Sequence, residues 1–186
     1  TTSTIILSRK AALLESDGDV IDTATCSVVL SFPALHMGNY FVALRHRNHL
    51  GVMSEQALGL SPTPTLVNFM VSTTPTFGTQ ARLISGSKAL LWAGDANMDN
   101  EIIATGPDND TSELLGAVLT SVGNTLLNTN YRLMGYYPTD IDLNGSALFA
   151  GASNDTNILL GNVILHPSNS TFSANYVIKG TIPKAP

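Results

Sequence analysis

Along the first half of the chain, apolar and polar positions alternate over short stretches interrupted by turn residues, a pattern that predicts strands rather than helices. The candidate strands are Thr4 to Leu7, Ala11 to Glu15, Val20 to Thr23, Cys26 to Phe32, Tyr40 to Arg47, Gly51 to Met53, Leu66 to Met70 and Lys88 to Trp92. Ser16-Asp17-Gly18-Asp19, the stretch from Pro33 to Asn39, Ser61-Pro62-Thr63-Pro64 and Thr74-Pro75-Thr76 separate them, each rich in turn formers. Strands at such spacing predict a mainly β fold, an antiparallel β-sandwich of Ig-like or jelly-roll-like kind. After Trp92 the texture changes. Two acidic loops appear, each followed by a segment of helical character, Ser112 to Leu119 and Asn157 to Leu165. Leu114, Leu115, Val118 and Leu119 recur at helical spacing, with Asn109 or Asp110 suited to cap the helix. Tyr176 to Ile178 is the expected closing strand. The predicted organisation is a β-sandwich part over 1–92 and a second part over 93–186, joined in one compact unit.

The second part is duplicated at an offset of 45 positions: Asp95, Asn97, Asp99, Asn109, Asp110 and Thr111 become Asp140, Asp142, Asn144, Asn154, Asp155 and Thr156. Gly106 matches Gly151, and Leu114, Gly116 and Val118 match Leu159, Gly161 and Val163. Oxygen-bearing side chains at the first, third and fifth positions of each loop reproduce the opening of an EF-hand-type calcium loop, where a tight turn aims alternate side chains at one hard cation. Asn100 and Gly145 stand at the sixth position and tolerate the left-handed backbone a sharp turn requires. Glu101 and Ser146, at the seventh, would offer a carbonyl. The bidentate Glu of a complete EF-hand loop is absent, and Asp110 and Asp155 are the candidates to close each site instead. Neither loop contains Cys or His, so the expected cofactor is calcium, two ions, rather than zinc.

Composition narrows the partners. Only 12% of residues are charged, the net charge is −5, and the nine Lys and Arg form no basic stripe, which argues against nucleic acid as a partner. No apolar run approaches the ~20 residues of a membrane helix. The start TTSTIILSRK lacks signal-peptide features, and the Thr, Ser and Asn-rich composition favours a mature, processed extracellular form over a cytosolic one. Cys26 is alone, within an apolar run, and is expected to be a small core residue. The most enzyme-like string is RHRNH, Arg45 to His49. Read as a strand, it puts His46 on one face and Arg45, Arg47 and His49 on the other, so the two imidazoles would not converge and hydrogen bonding towards the acidic loops is the expected role. No nucleophile elbow, phosphate loop or dinucleotide fingerprint occurs, and the paired carboxylates are already assigned to metal. The expected protein is not an enzyme.

The paired loop-and-helix arrangement resembles dockerin modules, with about four extra residues between each loop and its closing Asp. GDANMDNEIIATGPDND, DIDLNGSALFAGASND and NYFVALRHRNHLGVMS, within a span from RKAALLESDGDVID to NYVIKGTIP, are similar to a recurrent module of secreted and cell-surface proteins from Bacteroidota. That resemblance implies an extracellular or cell-surface location. In such modules a further strand usually precedes the RKAALL-like segment, so a sheet edge open to a strand from another chain is expected here. Ile5, Ile6 and Leu7, within the Thr1 to Leu14 segment, are candidate donor residues, with the C-terminal tail as the alternative donor, and head-to-tail donation would build a homo-oligomer or filament. Asp22-Thr23-Ala24 matches the short acceptor pattern of Bacteroidota-type O-glycosylation, which makes Thr23 a candidate acceptor. The expected function is a calcium-stabilised structural or assembly protein; the alternatives are a dockerin-like docking module and a calcium-dependent carbohydrate-binding or adhesin module.

Overall fold

The computed structural model of the chain describes residues 5–183. Its elements are β1 (Ala12–Leu14), β2 (Val20–Asp22), β3 (Gly38–Tyr40), β4 (Ala43–Leu44), β5 (Val52–Met53), β6 (Leu58–Leu60), β7 (Leu83–Ser85), β8 (Lys88–Leu90), β9 (Glu101–Ile103), α1 (Asp110–Thr120), β10 (Leu133–Met134), β11 (Ser146–Ala147), α2 (Asp155–Ile164) and β12 (Val177–Lys179). The strands form six antiparallel pairs: β1 with β2, β3 with β6, β4 with β5, β7 with β8, β9 with β12 and β10 with β11. The chain is therefore mainly β with small antiparallel strands and a few helical turns, and no sheet among the described residues closes into a barrel. None exceeds two strands, so the two stacked sheets of a sandwich are not evident from the pairing.

Several expected strands are not strands. Thr4 lies outside the described residues, and Ile5 to Leu7 belong to no strand. Cys26 to Phe32 fails because a turn consumes its start: Cys26 takes φ 54, its N–H reaches the Asp22 carbonyl at 2.8 Å, and only an isolated bridge joins Asp22 to Ser27. Cys26 is exposed, not a core residue. In Leu66 to Met70 the Asn68 side chain accepts the Met70 N–H at 2.9 Å, a local bond that competes with a ladder. Tyr40 to Arg47 is divided between β3 and β4, and its end becomes loop. The expected strand at Lys88 to Trp92 is present as β8, but sequence reading passed over its partner β7, with which it forms a hairpin whose two-residue turn has Gly86 at φ 61.

The duplicated half is built as two interlocked copies. Ile178 of β12 pairs with Ile102 of β9, and Leu133 of β10 pairs with Ala147 of β11. Shifting the first pair by the repeat offset exchanges one for the other. The cores obey the same rule. One buried cluster joins Ile102 and Ile178 to Leu159 and Val163 of α2; the other joins Ala147 and Leu133 to Leu114 and Val118 of α1. Each helix thus packs its apolar stripe against a strand of the other unit as well as its own closing strand, so each core draws residues from both units. Leu50 and Trp92, from the preceding part, enter the first cluster and tie it to the repeat. Trp92 packs at this seam, its Nε1 donating to the Gln80 carbonyl at 2.9 Å and its ring 4.8 Å from the buried His166 ring.

Truncating one helix should therefore unfold both units together. Leu114→Ala and Leu159→Ala are each expected to cost about 2–5 kcal/mol and to preserve a single thermal transition. Calorimetry that resolved two transitions would contradict the interlocked core.

Candidate metal centre

Each acidic loop is wound by its own side chains. In the first, Asn97 Oδ1 accepts the Asp99 N–H at 3.0 Å, Asp99 Oδ1 accepts the Glu101 N–H at 2.8 Å, and Asp95 Oδ2 accepts the Asn100 N–H at 3.1 Å. In the second, Asp142 Oδ1 accepts the Asn144 N–H at 3.1 Å, Asn144 Oδ1 accepts the Ser146 N–H at 3.0 Å, and Asp140 Oδ2 accepts the Gly145 N–H at 3.1 Å. These Asx turns curl the backbone around the carboxylates. Asn100 and Gly145 take φ 72 and 89, the left-handed conformation the sixth position demands. Asp108 and Ser153, further on, repeat at φ 53 and 57.

Asp110 and Asp155 are the first residues of α1 and α2, and their side chains return to the start of the loop. Asp110 Oδ1 accepts the Ala96 and Asn97 N–H groups at 2.8 and 3.3 Å, and its Oδ2 accepts the Ile103 N–H at 2.8 Å. Asp155 does the same with Ile141 and Asp142 at 2.7 and 3.2 Å and with Leu148 at 2.8 Å. One carboxylate thereby satisfies three backbone donors and fastens loop, strand and helix together. The capping role falls to the preceding residues: Asn109 accepts the Ser112 N–H at 2.8 Å and Asn154 the Asn157 N–H at 2.9 Å.

The carboxylates also converge. Asp140, Asp142 and Asp155 each bring an oxygen within 4.8 Å of the others, a cluster that could hold a metal ion. The equivalent positions of the first loop are Asp95, Asn97 and Asp110. There Asp95 is 7% exposed, and its Oδ1 is buried with no hydrogen-bond partner. Burial pushes the Asp95 carboxyl up to about 6 and the Asp110 carboxyl up to about 7, and raises Asp140 and Asp155 as well. The two seventh-position side chains turn elsewhere: Glu101 lies 3.5 Å from Lys179, and the Ser146 hydroxyl accepts from Arg132 at 3.0 Å and donates to Asn144 at 2.6 Å.

The RHRNH string reaches these loops, as its hydrogen-bonding role predicts. Asn48 is fully buried and bridges both loop entrances: its carbonyl accepts the Gly94 and Asp95 N–H groups at 2.9 and 3.1 Å, and its Nδ2 donates to the Pro138 and Asp140 carbonyls at 2.8 and 2.6 Å. Arg47 donates to the Tyr137 carbonyl at 3.1 Å and to Asp140 Oδ2 at 3.2 Å, with its guanidinium 3.6 Å from the centre of the Tyr136 ring. The expected separation of the imidazoles is corrected. Because 45–51 is not a strand, alternation does not apply, and His46 and His49 meet with Nδ1 atoms 3.1 Å apart. Burial takes His49 down to about 3 and lowers His46 as well. Thr23 is exposed in the turn after β2.

Sequence reading missed a further matched pair. Asn124 donates to the Val118 and Asn128 carbonyls, each at 2.9 Å, and Asn169 donates to the Val163 and Ser173 carbonyls, each at 2.8 Å. The signal was present, since Asn124 and Asn169, Leu127 and Phe172, and Tyr131 and Tyr176 continue the offset of 45 beyond the helices. No family model, curated protein or solved structure matches the chain.

Two outcomes follow for this centre. Asp110→Ala or Asp155→Ala strands three backbone donors and is expected to destabilise by about 3 kcal/mol or more, measured by denaturant unfolding, with the Asn variants less severe. The raised carboxyls fix a pH trend. A group held above its ordinary 3.8 stabilises the fold while protonated and loses that contribution as pH climbs through the folded values of about 6 and 7. A cation that needs the ionised form offsets the loss. The gain in melting temperature on adding calcium should therefore be small at about pH 5 and grow to a plateau above about pH 7.5.

Proposed function

We propose that the chain is a non-enzymatic, calcium-stabilised structural module of an extracellular or cell-surface protein, of the kind found in Bacteroidota. The observation that carries this reading is the duplicated loop: converging carboxylates in the second copy and, in the first, a buried carboxylate oxygen that lacks any partner. A hard cation supplies what such an oxygen lacks, and an all-oxygen set with flexible loop geometry suits calcium. Binding only the folded form then stabilises it by mass action, a useful device in a chain with one cysteine. Two ions, one per loop, complete this reading. The strand pairs of the first part are read as pieces of an antiparallel sandwich, and the second part as a dockerin-like pair of loop-and-helix units.

Assembly by strand donation accompanies this proposal. Ile5, Ile6 and Leu7 are exposed and belong to no strand, which leaves them available to extend a sheet edge of another copy. A second reading, calcium-dependent carbohydrate binding, is favoured by Tyr136, which is 79% exposed beside the second loop and, with one ring face under the Arg47 guanidinium, leaves the other for a sugar. Docking through the helices finds less support, because Leu114, Val118, Leu159 and Val163 are fully buried.

Removing calcium with a chelator is expected to lower the melting temperature by about 5–10 °C per ion that was held at a hundredfold its dissociation constant. An unchanged melt would remove the calcium reading. Negative-stain microscopy of the calcium-loaded chain should show filaments or an oligomer ladder that disappears when Ile5, Ile6 and Leu7 are replaced by Asp. A monomer throughout, with calcium-dependent signal on a glycan array that Tyr136→Ala abolishes, would instead favour the carbohydrate reading.

A further inference from the structure

The two loops match in sequence register but differ in what stands against their first carboxylate. In the second loop, Asp140 Oδ1 accepts the Asn144 N–H at 3.0 Å, and Oδ2 accepts the Gly145 N–H at 3.1 Å and the Arg47 guanidinium at 3.2 Å. Arg47 comes from outside the repeat, from the segment between β4 and β5, and both partners of this ion pair are largely buried, with side-chain exposures of 14% and 3%. Among the described residues, no cation stands against the first carboxylate of the first loop. Asp95, its equivalent, accepts the Asn100 N–H through Oδ2 and keeps Oδ1 buried and unpartnered.

We propose that the two cation sites are unequal: the first loop binds a hard divalent cation tightly with Asp95 Oδ1 as a direct ligand, whereas Arg47 is a built-in counter-ion at Asp140 that weakens the second. The proposal rests on the calcium reading above. Its physical basis is competition for one carboxylate. A divalent ion entering beside Asp140 meets a fixed positive charge and must share or displace a charge-assisted hydrogen bond in a dry setting, where both effects are strong. An ion entering beside Asp95 meets an acceptor that has already lost its water and gained nothing in return. Since the Arg47 guanidinium also holds the Tyr137 carbonyl and covers the Tyr136 ring, ion entry at the second loop is coupled to the chain just before that loop.

The test is calorimetric titration of the chelator-treated full chain with calcium chloride, for the wild type, Asp95→Asn, Arg47→Gln and Arg47→Lys. The wild type should show two binding classes separated by about tenfold or more in dissociation constant. D95N should abolish the tighter class and leave the weaker. R47Q should tighten the weaker class by about tenfold, and R47K, which retains the charge, should not. Circular dichroism in saturating calcium checks the fold of each variant. If R47Q does not fold, the wild-type and D95N isotherms decide. Equal affinities in the wild type, loss of the weaker class in D95N, or a weaker class unmoved by a folded R47Q would each overturn the proposal while leaving calcium stabilisation standing. No binding in any protein would overturn both, so the two failures are distinct.

Discussion

Three backbone N–H groups at each acidic loop point at a single buried carboxylate, and the second half of the molecule depends on that arrangement. Asp110 and Asp155, 1% and 0% exposed, gather donors from the loop entrance and from the strand or chain that follows it, while their own backbone starts a helix. An aliphatic residue there would leave the donors unsatisfied in a dry interior, a deficit comparable to a large share of a domain's net stability. The side chain is short, so it reaches all three groups only if the loop doubles back, and that path is what brings the other carboxylates close. The same atoms that make the fold also concentrate negative charge.

In the proposed reading, that concentration links stability to an ion. Burial, and after it repulsion from a neighbouring carboxylate, raises these four carboxyls, so without a cation the native loops hold protons or repulsion that the unfolded chain avoids. The interlocked cores then spread the consequence. Since α2 packs on β9 and α1 packs on β11, a loop that opens loosens the seat of the opposite helix. Asn48 extends the linkage to the preceding part, with both loop entrances hydrogen-bonded to one buried residue. A cation in either loop is therefore placed to stiffen the body of the molecule rather than a surface turn.

Much of this half was legible in the sequence because its information is local and occurs twice. The spacing of Asp95, Asn97 and Asp99, the caps Asn109 and Asn154, and the apolar stripes of both helices follow from turn and helix rules that act within a few residues. The interlock was not legible, since a periodic stripe reveals that Leu159 is buried but not that it meets Ile102. The first half was read less well for the same reason. Its strands are two or three residues long, too short for alternation to register, and its order comes from contacts distant in sequence, such as Gly38 pairing with Leu60 and the Leu50 N–H donating to the Trp92 carbonyl at 2.8 Å. The 45–51 segment illustrates the failure: alternation separated His46 from His49, but a loop brings them together and frees Arg47 and Asn48 to serve the acidic loops.

The most direct test of the account is a crystal structure of the full chain grown in calcium, with the anomalous signal used to locate the ion. The account predicts an ion in the first loop with Asp95 Oδ1 among its ligands at about 2.3–2.6 Å, and the Asp110 bonds to Ala96 and Ile103 preserved around it. An Asp95 carboxylate satisfied by water or by a protein donor, with no ion in either loop at saturating calcium, would contradict it.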